Sequence, residues 1–180
     1  MKNTAIMFDL ETLDNRATAA IASIGAVRFD PHSDWIGETL HLHIDLASQR
    51  NYQRSIGADT VLWWLRQDDA ARGLLLAGQD AEPADLLVAL EAFEGFIGKD
   101  AELWCNGASF DFAILGDAYD RFNWPRPWAF YRERDLRTLK GLNKGLRIER
   151  NGTHHNALDD AIYQARLVQH ILQANPDLYI

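Results

Sequence analysis

The sequence is short of cysteine, of positive charge and of long apolar runs, and each shortage removes a class of protein. Cys105 is the only cysteine among 180 residues, so no internal disulfide can form, and no Cys/His cluster has the spacing of a structural zinc site. A reducing cytoplasm is the simplest home for such a chain. Lys2 is followed by only a short apolar run before Asp9, too short for the core of a signal peptide, and no later stretch approaches the length of a membrane span. No membrane partner is therefore expected. Low-complexity stretches, internal repeats and linkers are also missing, which argues against disorder and against a domain boundary. What is present is a 47% apolar content with six Trp and 24% charged residues, enough to bury a sizeable core. One domain over residues 1–180 is the expectation.

The net charge of −8 argues at first sight against a polyanionic partner. Its distribution changes that reading. Residues 121–150 hold nine basic side chains against Glu133, Asp135 and Glu149, a local +6, and the remaining residues therefore carry −14. A basic strip on an acidic body is compatible with nucleic acid, although a solvated helix face accounts for it equally well.

Residues 4–11, 20–29 and 37–45 read as strands, with Asp14-Asn15 and Asp30-Pro31 as turn signals between them. Short connections predict an antiparallel start. Helical spacing follows over about 60–67 and 83–97, then a short strand over 102–105 and a helix over 109–122. A strand over Ala129–Arg132, a short helix over 136–142 and a final helix over 156–174 complete the pattern. Strands first, then helices alternating with strands, predict an α/β fold, a mixed sheet covered by helices.

Against this background the stretch FDLET, residues 8–12, puts Asp9 and Glu11 at the end of an otherwise apolar strand. Alternate strand residues share a face about 6–7 Å apart. Two like charges so placed need a cation or several donors; an Arg or Lys at the strand end would serve. A second signal is NGASFDFAIL, residues 106–115, where Ser109 reads as an N-cap and Asp111 falls in the first helical turn. Strand-to-helix junctions are where open α/β sheets collect ligands, but an acid there also simply suits the helix dipole. The third is HHNALDDAIYQA, residues 154–165. Five helical residues turn through about 140°, so His155 belongs to the loop before the helix that carries Asp160. His154 and Asp159 have the same spacing, and the residues alone leave that register open.

In order, Asp9-x-Glu11, Asn106-x-x-x-Phe110-Asp111 and His155-x-Ala157-x-x-Asp160-Ala161 resemble the three exonuclease motifs of the DEDDh family. SIGAVRF (23–29), TVLWWLRQ (60–67) and RDLRTL (134–139) extend the likeness along nearly the whole chain, nearest to the phage DexA-type and small exoribonuclease branch. The resemblance settles the register on His155 and Asp160, because His154 would put Asn156 in the place of the alanine. It implies an RNase H-like fold, three antiparallel strands then parallel ones, and a 3′-to-5′ exonuclease acting on the 3′ end of DNA or RNA. It further implies that Asp9, Glu11, Asp111 and Asp160 hold two Mg²⁺ or Mn²⁺ ions and that His155 is the general base toward water. A homodimer is compatible with this class.

For substrate binding, the resemblance places the main chain near Thr12 and Leu13 against the terminal 3′-OH. Phe110, beside Asp111, is a candidate base wedge. Trp63 and Trp64 point about 100° apart on a helix, so one can be core while the other faces the groove; Trp64 is retained as the stacking candidate, with core packing the ordinary fate of both. Arg137, with Lys140 and Lys144, is placed to follow the phosphate backbone. A silent binding module of the same fold and an RNase H-like endonuclease are the competing readings.

Overall fold

The computed structural model describes residues 4–98 and 101–178. Its centre is strand β1 (Ala5–Thr12), flanked by β2 (Ile21–Phe29) on one side and β4 (Glu102–Cys105) on the other. With β3 (Ile36–His43) and β5 (Glu133–Asp135) at the edges, the order is β3-β2-β1-β4-β5. The first three strands are antiparallel and the last two join in parallel, as expected.

The alternation of β1 sorts its side chains between two cores. Ile6, Phe8 and Leu10 pack with residues of α3 (Leu86–Ile97) and α4 (Asp111–Asp120), Phe8 meeting Phe93 and Phe112 edge to face. Ala5 and Met7 face the other way, toward Leu136 and Leu139 of α5 (Leu136–Leu142) and Ala161, Ala165 and Val168 of α6 (Ala157–Ala174). Asp9 and Glu11 continue that second face, so the strand's acids emerge under α6.

How α6 comes so near is set by Gly25, the partner of Asp9 in the β1–β2 register. A Cβ at Gly25 would lie 2.1 Å from the Ala157 carbonyl carbon. Only glycine lets the start of α6 rest on the sheet at that point.

Two elements differ from expectation. The strand predicted at 129–132 is a 3₁₀ turn over Phe130–Arg132, with Phe130 and Tyr131 exposed, and the strand proper is the charged triplet Glu133–Asp135. Its charges are engaged locally: Glu133 accepts from the Trp128 indole at 2.8 Å, Arg134 pairs with Glu102 at 3.3 Å and Asp135 caps α5. Helix α2 (Asp69–Asp80), capped by Asp68, occupies a stretch where the sequence predicts no element; α1 (Ala58–Leu65) precedes it. Gly73 and Gly78 weaken its helical signal, and Gly78 is required because a Cβ there would meet the His43 ring at 2.3 Å.

Candidate active site

The C-terminal end of β1, the start of α4 and the start of α6 meet at one cavity of about 500 Å³. Asp9, Glu11, Asp111, His155 and Asp160 all line it.

Each arrives by a different local device. Asp9 and Glu11 come from the strand pleat, and Gln164 on α6 donates to Asp9 Oδ1 at 2.7 Å. Asp111 opens α4, where Gly107's carbonyl accepts from the amides of Phe110 at 2.8 Å and Asp111 at 3.0 Å. The expected Ser109 cap is replaced by this backbone turn: Phe110 is the N-cap residue and no side chain caps the helix. Asn156 caps α6, accepting from Leu158 and Asp159. His155 just before it has φ 62°, the left-handed region that costs a side-chain-bearing residue of the order of 1 kcal/mol. That turn lets its amide donate to Asp160 Oδ2 at 3.1 Å while the imidazole reaches the cavity. Asp159, the rival in the alternative register, instead accepts from the Thr153 amide at 2.8 Å and fixes the loop.

The electrostatics are those of acids in excess. Burial pushes the Asp9 carboxyl well above its ordinary range, and the charges of Asp111 and Glu11 push it further. Burial, reinforced by Asp111, raises Glu11 to about 8. Asp111 is raised to about 7 by burial, against hydrogen bonds from its own amide and Cys105. Burial lowers the His155 imidazole, helped by His154 and Arg150, which favours its neutral form. Among the described residues, ligand atoms of Glu11, His155 and Asp160 lie within 4.8 Å of one another, a group that can hold a metal ion. One arginine does enter the cluster: Arg150 pairs with Asp160 Oδ1, and Arg137 acts on Asp111 from farther out. One guanidinium on one of four acids leaves Asp9, Glu11 and Asp111 with their charge largely uncompensated.

The substrate-facing residues divide. Thr12, Phe110 and Arg137 line the cavity. Leu13 does not: its amide is given to Ala20 O at 2.9 Å and its carbonyl accepts from Gly57 at 2.8 Å. Trp64 is likewise not on the wall. It is 4% exposed, and its indole donates to the Thr12 carbonyl at 2.9 Å, bracing the end of β1. Its neighbour Trp63, 41% exposed, lines the cavity and meets the His155 ring edge to face, with centroids 4.8 Å apart. The sequence carries no signal for Gln164 or Arg150, whereas of the adjacent pair Trp63 and Trp64 it is Trp63 that faces the groove and Trp64 that is core.

The fold and the order of these motifs have solved counterparts. The nuclease domain of 3′hExo, a DEDDh family member bound to rAMP, superposes with TM-score 0.66 over 99% of this chain and 96% of its own, at 15% identity. The zinc-bound E. coli ExoI–ssDNA complex superposes with TM-score 0.72 at 13% identity, over 98% of this chain but only 42% of that one. At these identities the likeness is one of fold, the RNase H-like arrangement of DEDDh nucleases. In sequence, an exodeoxyribonuclease of Enterobacteria phage T4 is 26% identical over 73% of this chain and 68% of its own length. With acids, histidine and fold in place, and with the profile of the Rv2179c-like 3′-5′ exoribonuclease domain matching residues 4–172, the chain belongs to that family of 3′-5′ exonucleases.

Proposed function

We propose that the protein removes nucleotides one at a time from the 3′ end of single-stranded or 3′-overhanging DNA or RNA, releasing nucleoside 5′-monophosphates. The observation that carries this is the gathering of Asp9, Glu11, Asp111 and Asp160 with the His155 imidazole on one cavity.

The donor set fits hard divalent cations. Carboxylate oxygens whose proton affinity is raised by burial, and further by one another, gain most from a doubly charged partner. Two Mg²⁺ or Mn²⁺ ions held by Asp9, Glu11, Asp111 and Asp160 would supply Lewis-acid stabilisation of the attacking and leaving oxygens. The chain's own residues do the rest. His155 takes the proton of the attacking water as the new P–O bond forms, and the P–O3′ bond breaks opposite it, the 3′ oxygen leaving with a proton from solvent. Trp63 and the Asp160–amide contact hold the imidazole in place. Gln164 keeps Asp9 in its rotamer. Phe110 stands at the wall beside Asp111 as a wedge against the terminal bases, and Arg137 and Lys140, both tied to Asn106, face the phosphates. Thr12 remains the contact to the 3′-OH.

The family description names RNA and the phage relative DNA, so both polymers belong in the test. End-labelled DNA and RNA oligonucleotides incubated with Mg²⁺ or Mn²⁺ should shorten from the 3′ end with wild type and not with Asp9→Ala. His155→Ala should lower kcat by roughly 10²–10⁴. A 3′-phosphate block should protect the oligonucleotide. Cleavage of a circular single strand would instead establish an endonuclease.

A further inference from the structure

Arg150 has no part in the chemistry proposed above, yet it lines the same cavity and pairs with one of its acids. It lies on the non-helical segment between α5 and α6, five positions before His155 and between the left-handed glycines Gly145 and Gly152. Its guanidinium pairs with Asp160 Oδ1 and sits over the Tyr163 ring, 4.7 Å from the centroid. The side chain is 18% exposed, lines the cavity, and its charge is felt by both Asp9 and Glu11.

Such a group has two consequences. A carboxylate oxygen held by a guanidinium is not free to ligate a divalent ion, so pairing and ligation compete for Asp160. A guanidinium that is only 18% exposed and is displaced from its carboxylate favours another anion, because a largely buried charge without a partner is costly. The anion that enters with the substrate is a phosphate, which a guanidinium fork matches in shape.

On the reading of the site as a metal-dependent nuclease, we propose that Arg150 is an exchangeable counter-cation: it holds Asp160 until a divalent ion claims that carboxylate, and then turns to the phosphate of the bound nucleotide. Ion and nucleotide binding are thereby coupled. Either one alone must break or leave unmatched a charge pair, whereas together they satisfy every partner, and the coupling is reciprocal. The Tyr163 ring serves as the pivot, since it holds the guanidinium in either orientation.

The test is calorimetric titration of the full chain with Mn²⁺, with and without AMP, in wild type and in Arg150→Met, which keeps the length of the side chain and removes its charge. Without AMP, Arg150→Met should bind Mn²⁺ about tenfold more tightly than wild type. AMP should tighten Mn²⁺ binding severalfold in wild type and much less in the variant. Arg150→Gln carries the same expectation and guards against poor folding of the Met variant, each being checked by thermal melting in EDTA. Equal Mn²⁺ affinity in wild type and both variants, or equal tightening by AMP, would overturn the exchange. Mn²⁺ binding to none of the three would overturn the metal-site reading and the exchange with it.

Discussion

Glu11 and Asp111 share a buried neighbourhood with Asp9, and the cost of ionising them together has a sign that can be measured. Their folded pKa values lie above the unfolded ones, so each contributes stability that is complete below the ordinary carboxylate range. That contribution is lost as pH rises through about 7 for Asp111 and about 8 for Glu11. Burial lowers His41, His43 and His155 from an ordinary value near 6.5, so most of their titration falls below the pH 7–9 window and they oppose the effect only at its lower edge. In EDTA the melting temperature should therefore fall between pH 7 and pH 9 by roughly 2–4 °C, the equivalent of ~1 kcal/mol in a chain of this size. Mg²⁺ should remove most of the fall, and a melting temperature that rises with pH in EDTA would contradict the clustering. Asp9→Asn removes one of the charges, so it should abolish turnover and raise the melting temperature in EDTA at pH 8.5. The five residues at the heart of this cluster were legible because three motifs stand in the order and spacing of the DEDDh family, whereas each motif by itself had an ordinary explanation and the residues alone left the His155–Asp160 register open. Gln164 was not, since its contact with Asp9 joins residues 155 positions apart. Arg150 was not either, because nine basic residues spread over positions 121–150 give no hint which one turns inward.

At the scale of elements, the decisive contact is α6 against the β1–β2 pair, because the two halves of the acid cluster reside on these pieces. Gly25 sets the separation. An added methyl there would meet the Ala157 carbonyl and the Leu158 amide at 2.1–2.2 Å, backbone atoms that can move only if the start of the helix moves. Gly25→Ala should destabilise the protein by roughly 2–4 kcal/mol. In whatever fraction folds it should also reduce kcat more than KM, since Asp160 and His155 shift away from Asp9 and Glu11 together. Chemical denaturation with steady-state kinetics tests both, and unchanged kcat in the folded variant would show that the helix start does not set the site. Strands β1 to β3 and helix α6 were readable because an apolar run, apolar positions with turn signals, alternation and helical spacing mark them in turn. Strand β5 was not. Three charged residues, Glu133 to Asp135, pair with Leu103 to Cys105, while the segment around Phe130 and Tyr131, whose composition predicts a strand, is the turn before it. Pairing partners supply what local composition does not.

At the scale of the molecule, a chain of net charge −8 must bring a polyanion to an acidic cavity. Among the described residues, Arg137 and Lys140 are cations on the cavity wall besides Arg150, and both are anchored to Asn106: Arg137 donates to its carbonyl at 2.9 Å, Lys140 to its side-chain oxygen at 3.4 Å. Neither has a carboxylate partner among the ion pairs of the described residues, so their charge is available to phosphates. Cations that neutralise a single strand release about 0.7 counterions each, so every contact adds about that much to the slope of log K against log salt. With cleavage silenced by Asp9→Asn, binding of a labelled single-stranded oligonucleotide should weaken as salt rises. Replacing Arg137 and Lys140 together by Gln should then flatten the slope by about 1.4, twice the single-strand value. A slope unchanged by the double substitution would move the phosphate track elsewhere. The Lys144-to-Arg147 end of the basic strip is then the next segment to substitute, because it joins α5 to the loop that carries Arg150.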